Sequence, residues 1–334
     1  MMDSKLLVSA PFLFASMAVS AQDAPEPETK PAIVETDEIE SPAEARSPMM
    51  QPSWTVRSRS GATLEADIDD GGGYSSWNSG LEVDLLYPID ERTALTFSVG
   101  SAITDYDFAG NSALSLGSAS DPWNTVYSNS ASIGIRRGID QRSAVFGSLN
   151  IASDGESGAD FGDSITGGGI GGYTYAYSEH LTLGVAAVVQ TRLEDSVLVI
   201  PFPIINWRPP IDEERRWSVG TGGAGGGPSN VAGVLVGYDA TETLSFNAGF
   251  GIAGIAGDFR LDDEGLAPDG VGKDTSFPVI AGVNWKPTRN LSVAGYAGAT
   301  FFHEVRLENS SGDTLAKRDV DPSPVIGFSV SYKF

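Results

Sequence analysis

Strict alternation of apolar and polar residues, recurring from end to end of the chain, most restricts its fold. In the last segment Ile326, Phe328, Val330, Tyr332 and Phe334 fall on one side, and Gly327, Ser329, Ser331 and Lys333 on the other. A period of two marks a strand with one apolar and one polar face. Leu244, Phe246, Ala248, Phe250 and Ile252 form a second such row, and Phe277, Val279, Ala281, Val283 and Trp285 a third. Leu81, Val83, Leu85 and Tyr87 oppose Glu82 and Asp84. Nearer the start, Ala62, Leu64, Ala66 and Ile68 oppose Thr63, Glu65, Asp67 and Asp69.

Between the rows a turn repeats. Tyr87-Pro-Ile-Asp-Glu-Arg-Thr-Ala-Leu95 is echoed at Tyr177–Leu183, Tyr238–Leu244 and Trp285–Leu291, with weaker copies at Gly138–Ala144 and Trp207–Trp217. Asp, Pro, Asn and Ser supply the turn geometry. All but the Gly138 copy follow a strand that ends on an aromatic residue. Aromatics held at one level are what a girdle at a membrane interface requires. On the other side lie longer connections rich in Gly, Ser, Asp and Asn: Thr104–Asn124, Ser153–Asp163, Thr221–Asn230, Asp262–Asp274 and Glu308–Asp321. The six turns, an opening strand near Trp54–Asp69 and the terminal strand together predict fourteen strands. Twelve fit if the Arg216–Tyr238 hairpin is short. The expected fold is all-β, an up-and-down antiparallel transmembrane barrel with short periplasmic turns and longer extracellular loops.

The aromatic terminus resembles the last strand of bacterial outer-membrane barrels, whose closing Phe is read by the barrel-assembly machinery. That resemblance makes Tyr332 and Phe334 the assembly signal. Pro201-Phe-Pro203 with Asn206-Trp-Arg-Pro209, and the Tyr87-Pro-Ile-Asp90 turn, resemble an outer-membrane barrel family without assigned activity, over most of residues 75–334. These motifs are structural and imply a fold rather than a substrate.

Composition agrees with this reading. Beyond residue 21 no apolar run of about 18 residues exists to make a spanning helix, and alternation hides a barrel from windowed hydropathy. Residues 1–21 read as a secretory signal, with Lys5, the apolar core Leu6–Val19 and the small residues Val19-Ser-Ala21. Residues 22–53 mix proline and acid with few aromatics, the composition of an extended disordered linker. Residues 54–334 form the barrel. The expected address is the bacterial outer membrane, reached by signal-directed export, with membrane lipid, the assembly machinery and small solutes as partners. The absence of cysteine removes disulfides and thiol chemistry, and a net charge of −23 argues against nucleic acid.

Charge facing lipid costs a few kcal/mol near the bilayer midplane, so strand charges belong in the lumen. Alternation assigns Arg57, Arg59, Glu65, Asp67, Glu82, Asp84, Arg136, Arg192, Glu304 and Arg306 to that face. Glu82 and Asp84 are the expected constriction, with arginines on other walls creating a transverse field. The alternative is that these charges pair and fill the lumen. Val197–Trp207 is apolar on both faces and holds Pro201 and Pro203, which predicts a bulge or kink there. Leu198, Ile200, Phe202 and Ile204 then form an inward apolar patch.

Catalysis finds little support. His180 falls in a turn, His303 alternates toward lipid, and neither has a nearby Ser or Asp partner in sequence. The glycine runs Gly167–Gly172 and Gly220–Gly227 lack the Lys-Ser/Thr of a phosphate loop. Asp67–Gly73 lacks the full ligand pattern of a calcium loop and reads as a solvated hairpin tip. No enzyme activity, cofactor or metal is expected. Three functions remain open: a passive or weakly cation-selective channel for small solutes, a plugged structural or adhesive barrel, and a transporter of hydrophobic molecules.

Overall fold

The computed structural model describes residues 51–334 apart from 111–112, 118–120, 212–215, 223–231 and 255–256. The signal, nearly all of the linker and most of the Thr221–Asn230 connection with its glycine run lie outside the described residues. Alternating sequence becomes strand throughout. The first half of the wall is β1 (Ser53–Asp67), β2 (Gly73–Pro88), β3 (Thr93–Ala109), β4 (Thr125–Gly138) and β5 (Ser143–Glu156). It continues with β6 (Ile165–Ser178), β7 (Leu181–Arg192), β8 (Asp195–Trp207), β9 (Trp217–Gly222) and β10 (Ala232–Asp239). The last strands are β11 (Leu244–Ile252), β12 (Asp258–Arg260), β13 (Val271–Trp285), β14 (Leu291–Glu308), β15 (Thr314–Val320) and β16 (Ser323–Lys333). A 3-10 turn at Ala113–Ser115 interrupts the β3–β4 connection.

Apart from β11 with β12 and β15 with β16, each strand pairs antiparallel with its sequence neighbour, and β1 closes the cylinder on β16 from Thr55↔Lys333 to Thr63↔Val325. Both β11 and β12 run along β13, and both β15 and β16 run along β14, so each couple is one interrupted strand. The result is a closed barrel of fourteen strands. The Arg216–Tyr238 hairpin is present as β9 and β10, which decides for fourteen over twelve.

The outward rows are exposed and apolar, among them Leu81, Val99, Ile133, Leu149, Val185, Val199, Phe246 and Phe328. A ring of Trp54, Tyr87, Tyr177, Trp207, Trp285, Tyr332 and Phe334 stands exposed at the turn end. A continuous apolar belt of this kind has no place in water and is satisfied by hydrocarbon. The cylinder therefore spans a membrane. All six predicted turns occur where the repeat placed them.

The loop end departs from the expected form. β3 runs on to Ala109 inside the first predicted loop, and β15 takes half of Glu308–Asp321, so two predicted loops are partly wall. β7 and β8 join through Leu193-Glu194 alone. Above Ser153↔Ile165, where β6 leaves β5, β12 takes its place in a parallel pairing at Arg260↔Gly155. β15 meets β1 through Ile68↔Val320. The barrel thereby narrows at the loop end to a ring made of β1 to β5 and β12 to β15. β6 to β11 stand outside that ring.

Two bulges make the narrowing possible. β1 carries an extra residue between Thr63 and Ala66, and β14 shifts register against β13 opposite Thr275/Phe277. The β14 irregularity centres on Phe302, which has φ 48° and is 88% exposed. An extra residue reverses the facing of everything beyond it. Ala66 and Ile68 on β1, and Val305 and Leu307 on β14, thus turn inward instead of outward. With Tyr74, Phe108, Leu114, Trp123, Phe259 and Val320 they build a dry core inside the loop-end ring.

Candidate functional site: a capped lumen with a side seam

The turn-side lumen holds a compact charged cluster. Glu82 on β2 receives Arg57 Nη1 at 2.8 Å on one oxygen and Arg59 Nη2 at 2.6 Å on the other. Asp84 lies 3.6 Å from Arg57 Nη1 and accepts from Ser98 Oγ at 2.6 Å. The register explains the meeting: Arg57↔Glu82 are directly paired, and both face inward. The expected transverse field is therefore corrected. Acids and arginines stand side by side on adjoining strands, and their charges cancel locally.

The loop mouth is closed by the apolar core and by three sets of polar ties. In the first, Asp274 on β13 accepts from Tyr74 Oη at 2.6 Å and from His303 Nε2 at 2.8 Å. The Tyr74 and His303 rings stack edge-on at 4.7 Å. These contacts bind β2, β13 and β14 across the mouth. In the second, Glu156 at the end of β5 accepts from the Asn124 amide at 2.9 Å and the Asp262 amide at 3.1 Å, tying two loops to one carboxylate. In the third, β12 presents Phe259 to the core and turns Asp258 and Arg260 the other way. Asp258 meets Arg192 at 3.0 Å and Arg260 meets Glu194 at 2.8 Å. Ring packing around Trp123, Tyr106, Phe108 and Phe259, with centroids 5.2 to 5.9 Å from Trp123, completes the seal.

Two prolines mark β8 as a distinct part of the wall. Along β7 its ladder is unbroken from Leu181↔Trp207 to Gln190↔Leu198, so the kink expected at Pro201–Pro203 is absent there. The register shift lies at Gln190/Arg192 instead. On the other edge, among the described residues, β8 pairs with β9 only at Asn206↔Gly220 and Trp207↔Val219. The next amide, Ile205 N, donates to the Thr221 hydroxyl at 2.8 Å, and that hydroxyl donates to Pro203 O at 2.8 Å. Strand amides alternate between edges, so the amides facing β9 belong to Ile205 and then to positions 203 and 201. Both of those are proline and carry no N–H. The prolines leave the β7 ladder intact and take two N–H donors from the edge that faces β9. Leu198, Ile200, Phe202 and Ile204 face inward behind this seam, while Val197, Val199, Pro201 and Pro203 are exposed on the outer face.

Other candidate residues lie elsewhere. Glu65 and Asp67 sit at and beyond the β1 bulge and are exposed at the loop rim, not in the lumen. Glu304 and Arg306 face outward beyond the Phe302 bulge and pair with each other at 2.5 Å, with Lys317 also on Glu304. The same bulge turns His303 inward, where it is 2% exposed, contrary to the lipid-facing expectation. Arg192 lies at the top of β7 on Asp258 and forms no constriction. Arg136 faces inward on β4, apart from the charged cluster. His180 sits in its predicted turn. Asp69-Asp-Gly-Gly72 makes the tight β1–β2 tip, where Asp70, Gly71 and Gly72 all have positive φ. Tyr332 and Phe334 stand outward at the turn end, with ring centroids 4.8 Å apart. Residue-by-residue reading missed Asp274, Glu156 and Asp258. They come together only through the bulges and the inward step of β12.

No family model and no curated relative matches the sequence. Among solved structures the chain is similar to an outer membrane channel from Pseudomonas putida F1. Identity is 10% over 89% of this chain and 100% of that one, with TM-score 0.45. It is also similar to the P. putida toluene transporter TodX, at 12% identity over 84% and 89% of the two chains, with TM-score 0.47. A FadL homologue from Pseudomonas aeruginosa matches at 11% identity over 84% and 90%, with TM-score 0.43.

Proposed function

We propose that this chain is a bacterial outer-membrane channel for small apolar molecules, which pass between the membrane hydrocarbon and the turn-side lumen through the β8–β9 seam. One observation carries the reading. The two prolines remove hydrogen-bond donors from the β9-facing edge alone, in front of the inward patch Leu198, Ile200, Phe202 and Ile204. A ladder that lacks two donors holds its strands together less firmly, a loss of wall strength that persists only where something is gained from it. A route for solutes that are themselves apolar supplies that gain.

The cation-selective channel finds less support. Glu82 and Asp84 are neutralised by Arg57 and Arg59, and the loop mouth is filled by packed side chains. The sealed mouth also suits a plugged structural or adhesive barrel, and the seam is what separates the two readings. We assign no chemistry to the barrel, and the assembly machinery is the partner we propose for Tyr332 and Phe334.

The test is uptake of a small hydrocarbon such as toluene by cells carrying the full chain as their added barrel. Replacing Phe202 and Ile204 by Ser makes the patch polar and is expected to cut the barrel-dependent rate several-fold. Unchanged uptake in a correctly folded variant removes the basis for the apolar route and leaves the plugged barrel.

A further inference from the structure

We infer that Arg136 makes the lumen behind the seam a binding site for apolar carboxylates, an inference that rests on the apolar route above. Three other inward arginines are neutralised: Arg57 and Arg59 on Glu82 and Asp84, and Arg192 on Asp258. Among the described residues Arg136 has no hydrogen-bond or ion-pair partner, although it is only partly exposed. An arginine so placed keeps five donors in a planar fork suited to a carboxylate.

Its surroundings choose the rest of the ligand. The inward residues beside it are small: Ala94 is its partner on β3, and Gly134 precedes it on β4. On the other side a single cross-strand row runs Arg136↔Phe146, Phe146↔Gly172, Gly172↔Ala186 and Ala186↔Phe202. The row therefore starts at a cation on β4 and ends at the seam on β8. Gly172 is what lets the row lie flat, since a Cβ there would come within 2.5 Å of the Phe146 ring. Four inter-strand steps of about 4.8 Å give roughly 19 Å of wall. A ligand with an anionic head on Arg136 and a hydrocarbon body over Phe146, Ala186 and Phe202 matches it in charge and polarity. A neutral hydrocarbon uses the body of the row without the head.

The experiment compares 4-phenylbutyrate with 4-phenylbutanol, titrated calorimetrically into the full chain in lipid nanodiscs, with empty discs subtracted. The expected result is that Arg136→Gln weakens the acid at least tenfold and moves the alcohol less than twofold, with Arg136→Lys between. Alcohol binding also reports that each variant is folded. An acid-to-alcohol ratio unchanged by Arg136→Gln overturns the carboxylate site and leaves the apolar route standing. If neither probe binds the wild-type chain above empty discs, the route falls and the site falls with it.

Discussion

At the residue scale, Glu82 decides the character of the turn-side lumen. It is a nearly buried carboxylate with a guanidinium on each oxygen, so its loss leaves two arginines facing one another. Glu82→Gln is expected to cost about 1–3 kcal/mol, read as a lower urea midpoint of the folded barrel. Asp84→Asn removes one 3.6 Å contact on a more exposed side chain and should cost less. Equal losses would speak against the assignment of Glu82 as the hub. At the turns, Asp90 and Asp140 are held below the ordinary carboxylate range, chiefly by the Arg92 and Arg142 amides at 2.7 Å. A depressed folded value contributes stability that is present above the unfolded value and is lost as pH falls through the folded one. Carboxyl titration by NMR should therefore find Asp140 ionising below a free Asp. A value at or above that of free Asp would contradict the amide contacts.

At the scale of elements, the two bulges do most to shape the loop end. Alternation made the strands, turns and inward patch legible because each depends on neighbours within one or two residues. It misassigned Glu65, Asp67, Glu304 and Arg306, and faced His303 the wrong way, because one extra residue inverts every later position. No local pattern marked Phe302 as that residue. The β12 step was hidden for a different reason, since it depends on pairing with β5 more than a hundred residues away. The seam was half legible: the prolines were visible, but which edge of β8 they would strip of donors depended on which edge each amide faced. Deleting Phe302 is expected to restore unbroken alternation, drive Glu304 and Arg306 into the core and expel His303. The loop-end ring should loosen while the turn-end girdle persists. Trypsin should then cut at Arg306, Lys317 or Arg318 in the variant and spare them in the parent. Equal resistance would show that the bulge does not hold the mouth.

At the scale of the whole molecule, the barrel has a polar-and-apolar lumen at one end and a narrowed, apolar-cored ring at the other. The ring is held by Asp274, Glu156 and Asp258 acting between strands and loops that are distant in sequence. A sealed mouth turns attention to the wall, where two prolines take donors from the β9-facing edge of β8. The apolar route depends on both features, since an open mouth would make the seam unnecessary. Planar-bilayer recording of the refolded chain under a salt gradient tests that dependence most directly. The account predicts a bilayer without stable conductance from a heat-modifiable, correctly folded barrel. A steady conductance with a cation-selective reversal potential would contradict it and return Glu82 and Asp84 to the role of a constriction.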